Sequence, residues 1–321
     1  MRFELIFLAL ALSAGPFHAA AAEPDLPVDL TTVDDGRATI HQLYASYATL
    51  LQKGWELDVV AHSQPAGTER LIPMVAFRSP VSGPATWIIS GIHGEEAAGP
   101  NAIAAVIDDI AKLGEHRPVV LIPLSNPHGY VRNWRYLNSP VWSEDIDAQS
   151  VGDASHLLPD PENSLRARAA AASSAEADAI TRYILETIGA YPPLISIDLH
   201  EDDKIREGYV YSQGVQGADE PLAAEAVRVL RENAIPIKLD GYTRFEERIE
   251  EGIVGPVADS SIDELMSAKE IIVEGAPQAG PAARIVLVFE TPAGELPLAQ
   301  RVRAQEALLR RMILLIPDAA N

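Results

Sequence analysis

Four short apolar runs constrain the fold of this chain most: "ATWIISG" (85–91), "VVLIPL" (119–124), "LISIDLH" (194–200) and "IVLVFE" (285–290). Three of them show no polar–apolar alternation, which is the pattern of strands buried on both faces, and "LISIDLH" reads as a buried strand with alternating residues from Ile195 to His200. Between and after them, apolar residues recur at helical spacing over 95–114, 167–191, 220–233 and 297–316. Nearer the start, 38–54 reads as a helix ending at Gly54, and 55–63 and 70–79 read as two strands joined by a turn. Strands alternating with helices predict an α/β fold, with a mixed, mostly parallel sheet flanked by helices on both faces. No internal repeat and no Gly/Ser linker divides the chain, so residues 23–321 are expected to form one domain. In such sheets chemistry gathers where loops leave the carboxyl ends of strands.

The start of the chain reads differently. "MRFELIFLALALSAGPFHAAAAEPD" has Arg2, an apolar run from Leu5 to Ala14 and small residues up to Ala22. This is the pattern of a cleaved signal peptide over residues 1–22, and the apolar run is too short to span a bilayer. The mature chain is therefore expected in the periplasm or outside the cell, with no membrane span. A formal net charge of −21 argues against nucleic acid and anionic membrane as partners, and is consistent with a soluble monomer. There are no cysteines, so there is no thiol nucleophile, and a bound metal would rest on His and carboxylate ligands.

The stretch "SGIHGEEAAGP" places His93 and Glu96 three residues apart where a strand ends. If a helix starts near Gly94, both side chains can face one point above the sheet. Two His and one Glu are a common catalytic zinc set. "SIDLHEDD" offers His200 at another strand end, with Asp198 two residues earlier on the same face. Glu95 is expected to point away as a solvated acid. Glu290 closes the run "IVLVF", a costly position for a carboxylate unless it faces a cleft or a partner.

Taken in order, His93-Gly94-Glu95-Glu96, Asn126-Pro127-x-Gly129, Arg132-x-Trp134-Arg135, Asp198-x-His200 and Phe289-Glu290 resemble the zinc metallocarboxypeptidases, as a bacterial exported member. The pattern covers nearly the whole mature chain. The resemblance implies one Zn2+ per chain held by His93, Glu96 and His200, with Glu290 as general base and Arg135 beside the developing oxyanion. It implies substrate contact for Arg132, and a loop-shaping part for Asn126, Pro127 and Gly129. The substrate would be a peptide or small amide.

The pattern breaks at one place. Family members bind a terminal carboxylate with an Asn-Arg pair, and the matching segment here, "SVGDASHLLPD" (150–160), has Ser155 and His156. His156 is a candidate substrate contact, and terminal specificity is left open. Export and the missing pair suggest cell-wall peptides. The related aspartoacylase and succinylglutamate desuccinylase group suggests the alternative of a zinc deacylase of N-acyl amino acids. A non-catalytic binding protein would have lost a ligand or the base. No G-x-S-x-G and no G-x-G-x-x-G is present, which excludes the usual serine-hydrolase and dinucleotide signatures. Tyr242 in "DGYTRFEER" is available as the tyrosine that the family carries in the loop before the catalytic Glu, and "FEERIEEG" is expected to be a solvated helix face.

Overall fold

A computed structural model describes residues 26–316 except 28, 64–70 and 137–151. The expected signal peptide, 1–22, lies outside the described residues. The central sheet is built from β1 (Glu56–Ser63), β2 (Ile72–Arg78), β3 (Ala85–Ser90) and β4 (Val119–Ile122) in the first half. A small hairpin, β5 (Pro159–Asp160) and β6 (Asn163–Ala167), stands apart from it. Next come β7 (Pro193–Asp202), β8 (Tyr209–Ser212), β9 (Gly241–Tyr242), β10 (Arg248–Glu250) and β11 (Ile253–Val254). A second hairpin, β12 (Glu270–Val273) and β13 (Ala276–Ala279), precedes β14 (Ile285–Pro292).

The sheet order is β1-β2-β4-β3-β7-β14-β8-β11-β10-β9. Its centre, β4-β3-β7-β14, is parallel, and antiparallel pairing dominates towards the edges. The parallel centre consists of these four runs and is covered on both faces, so that β7 buries even Ser196, Asp198 and His200.

Side chains of these strands divide between two cores. Ile88, Ile197, Leu199, Leu287 and Phe289 face one side, where they meet α1 (Ile40–Ala48), α2 (Ala98–Ala105), α3 (Ile107–Gly114) and α8 (Leu298–Leu315). Between α3 and α8 in the chain come α4 (Pro127–Arg132), α5 (Ala175–Thr187), α6 (Pro221–Glu232) and α7 (Ile262–Ser267). Of these, α6 joins the first core through Ala223, Ala226 and Leu230. Trp87, Ile89 and Val286 face the other side, against Ile180 and Ile184 of α5 and Leu265 and Met266 of α7. Full burial of each such side chain contributes about 1.5–3 kcal/mol, so the two cores fix the sheet between its helices. Among the described residues, no helix is long and apolar enough to cross a membrane.

Candidate metal centre

Three parallel strands deliver the site. β3 ends at Ser90, and the turn after it carries His93 and Glu96. The helix begins only at Ala98, so the two side chains come from the turn and not from a first helical turn. His200 lies near the carboxyl end of β7, and Glu290 near that of β14. His200 and Glu290 are register partners, which puts their side chains on the same face.

His93 Nδ1 lies 2.6 Å from Glu96 Oε1, and His200 Nδ1 lies 3.0 Å from Glu96 Oε2. Ligand atoms of these three residues all lie within 4.8 Å of one another. Both imidazoles thus present the same nitrogen to one carboxylate. The donor set of two imidazoles and one carboxylate suits zinc, and its third side is open to a cleft of about 480 Å³. His200 turns its other nitrogen, Nε2, towards Asp198 Oδ2 at 3.4 Å. A second group of possible ligands, Asp198, His200 and Asp263, shares that imidazole.

The turn holding His93 and Glu96 is fixed by close backbone packing. A Cβ at Gly94 would meet Gly129 C at 2.1 Å, so only glycine lets this turn lie against α4. Asn126 caps α4 by accepting from Gly129 N at 2.8 Å, and its Nδ2 donates to Arg135 O at 3.1 Å. Asn126 and Gly129 therefore shape the loop. Behind the site, Glu201 N donates to Glu96 Oε2 at 3.1 Å. The Glu201 side chain is itself fully buried, bonded to Arg301 and to Ala98 N.

Burial opposes charge throughout this centre. It works against ionisation of Glu96, but flanking His93 and His200 outweigh it and hold that carboxyl well below the usual range. Burial also opposes a charged His200, yet Asp198 and Glu96 raise it well above the ordinary histidine value. His93 is pushed down to about 4, by burial and then by Arg135. Glu290 is pushed up to about 8, mainly by burial, with Glu96 and Asp202 adding to it. Among the described residues, Glu290 Oε2 is buried with no hydrogen-bond partner.

The structure brings together His93, Glu96, His200, Glu290 and Arg135, all at the cleft or its floor. Arg135 bonds Glu95 at 2.8 Å and Glu96 at 3.0 Å. Glu95 is therefore not the solvated acid expected from sequence. It is mostly buried against Arg135, and burial beside Glu96 raises it to about 7. Arg132 and His156 are not brought to the cleft. Arg132 ends α4 and stacks over Trp134 at 5.1 Å, and Asn133, with φ 61°, turns the chain so that Arg135 swings inward instead. His156 Nε2 faces Thr181 Oγ1 of α5 at 3.2 Å.

Tyr242 is exposed and lies outside the cleft lining. "FEERIEEG" is not a helix but a turn and β10, placing Phe245 and Glu247 at the cleft beside Arg244. Sequence reading also missed Asp153, Tyr209, Tyr211 and Asp263, which line it. The acidic string "HEDD" after His200 was the one signal for Glu201 and Asp202.

No family model matches the chain, and no curated protein matches it in sequence. Solved structures do match. A chain from Shewanella baltica OS155, provisionally named a metallopeptidase, aligns with TM-score 0.65 and 21% identity over 86% of this chain and 91% of its own. A metallo-carboxypeptidase from Burkholderia cenocepacia aligns with TM-score 0.52 and 12% identity, over 87% of this chain and 69% of its own. The chain has the metallo-carboxypeptidase fold. Bovine thrombin-activatable fibrinolysis inhibitor, solved with a tick carboxypeptidase inhibitor, shares it at TM-score 0.53 and 14% identity, over 87% and 97% of the two chains. At these identities the likeness is one of fold, and chemistry has to be argued from this chain's own residues.

Proposed function

We propose that the chain is a zinc-dependent hydrolase of the metallo-carboxypeptidase type that cleaves an amide bond of a peptide. The observation that carries this reading is the convergence of His93 Nδ1, Glu96 and His200 Nδ1 at the end of a cleft that also holds Glu290. His93, Glu96 and His200 would hold one zinc ion. When bound, zinc supplies Lewis acidity towards a carbonyl and makes water easier to deprotonate.

Glu290, whose Oε2 has no competing hydrogen bond among the described residues, takes the proton of the attacking water and passes it to the leaving amine. Arg135 places a fixed positive charge where the carbonyl oxygen becomes negative. Glu95 and Glu96 hold its guanidinium in place through Nη1. Asp198 fixes the His200 ring so that Nδ1 is the ligating nitrogen. The apolar leader over residues 1–22 supports export to the periplasm or beyond, and cell-wall-type peptides are the substrates that location favours.

The test is a screen of the purified zinc-loaded chain against peptides and N-acyl amino acids, with Glu290→Gln beside it. Amide hydrolysis that disappears in the variant supports the reading. Hydrolysis confined to N-acyl amino acids moves it to the deacylases. A fully zinc-loaded chain that cleaves neither class contradicts it.

A further inference from the structure

Ser196, Asp198 and His200 share one face of β7, and Asp198 sits in register with Ile89 of β3 and Val288 of β14. Asp198 is fully buried there. Asp263 reaches the same place from the first turn of α7, which packs on β7 and β14, and it is only 5% exposed. Ligand atoms of Asp198, His200 and Asp263 all lie within 4.8 Å of one another. Two carboxylates distant in sequence thus meet inside the fold. They lie on the Nε2 side of His200, whereas Glu96 lies on its Nδ1 side.

Among the described residues, neither aspartate makes an ion pair with lysine or arginine. Asp198 Oδ1 and Asp263 Oδ1 are both buried without a hydrogen-bond partner among those residues. Asp198 Oδ2 faces His200 Nε2 at 3.4 Å, and with zinc on Nδ1 that nitrogen carries the ring hydrogen. The ring therefore engages one oxygen of Asp198 and leaves Oδ1 free. Arg168, the cation beside α7, is held at 2.7 Å by Glu264 Oε2. Two like charges sharing a buried site repel each other, and each unmatched oxygen adds a desolvation cost. A positive charge between them removes both costs.

Divalent cations that prefer oxygen take carboxylate ligands at about 2.0–2.6 Å, so one ion bridges oxygens up to about 4–5 Å apart. The spacing here falls within that reach. Mg2+ is commonly held by one or two carboxylates and keeps several waters. Asp263 lines the cleft, which supplies those waters from one side. A net charge of −21 also draws cations to the molecule. We propose that Asp198 and Asp263 hold a second divalent cation of the oxygen-preferring class, Mg2+, Mn2+ or Ca2+, behind the zinc centre. The ion ties α7 to β7 and holds Asp198 against His200. Its binding does not depend on the hydrolase reading.

The experiment is a titration of the zinc-loaded chain with Mn2+, read by loss of the free Mn2+ electron paramagnetic resonance signal, with zinc content measured before and after. Mn2+ binds nitrogen-bearing sites more weakly than zinc, so zinc keeps the His93, Glu96 and His200 set. The expected result is about one Mn2+ per chain with zinc retained. The bound ion should broaden the ring-proton NMR signals of His200 but not those of His41, on α1 across the sheet. Asp263→Asn, which leaves the three zinc ligands in place, should weaken Mn2+ at least about tenfold and keep zinc. The wild-type readings decide the matter even if that variant fails to fold. No Mn2+ binding, binding that expels zinc, an unbroadened His200, or an affinity unchanged in Asp263→Asn overturns the proposal.

Discussion

Replacing Arg301 by Met should destabilise the chain out of proportion to its distance from the surface charge network. Arg301 is the ion-pair partner of Glu201, whose side chain is fully buried. The carboxylate also accepts from Ala98 N at 2.8 Å and Thr291 Oγ1 at 3.3 Å, and these neutral donors would remain. Removing one member of a buried pair costs about 3–5 kcal/mol, because the other charge is left unmatched. With a urea m-value of about 2 kcal/mol per M, the unfolding midpoint should fall by about 2 M.

The loss should depend on pH. Burial already raises Glu201 despite Arg301, and losing the arginine raises it further. A carboxyl with a folded value above its unfolded one costs no stability below the unfolded value and progressively more as pH rises past it. The deficit should therefore be smallest near pH 4–5, around the unfolded value of about 4.3, and grow towards neutrality. Glu201→Gln combined with Arg301→Met should recover most of the loss. Urea unfolding of the metal-free protein followed by circular dichroism reads all of this. A single variant within about 1 kcal/mol of wild type, or a double variant no better than the single, would refute the account of this pair.

Three further outcomes follow from the site. In the metal-free protein His200 holds a proton, His93 does not, and Glu290 at about 8 is mostly protonated, so zinc binding near pH 7 should release about one to two protons, seen as a buffer-dependent heat in calorimetry. Asp198→Asn removes the charge that orients His200 and should weaken zinc about 10–100-fold by competition with a chelating dye. Glu290→Gln should keep zinc and lose about 10²–10⁴-fold in kcat, and full activity in that variant would remove Glu290 from the mechanism.

The parallel centre of the sheet was legible because its strands are buried on both faces, and such runs as "WIIS" and "IVLVF" carry that constraint in composition alone. His93, Glu96, His200 and Glu290 were legible because they stand at the ends of those runs. The edge strands β8 to β11 were not, since each is only two to four residues long and shows no usable period. That is why Glu247, in the short connection between two such strands, read as part of a solvated helix. Glu95 was misread for a different reason. First-turn acids usually face water, but here the helix starts later and Arg135, forty residues on, folds back over the turn. Arg132 and His156 were chosen by alignment to a motif, and the left-handed Asn133 and the contact with Thr181 decide their directions in space.

The central claim is that His93, Glu96 and His200 form a zinc site. Elemental analysis of the purified mature chain beside His93→Ala tests it most directly. The account predicts about one zinc per wild-type chain, lost in the variant while the fold is retained. No zinc in the wild type even after reconstitution, or equal zinc in both proteins, would contradict it.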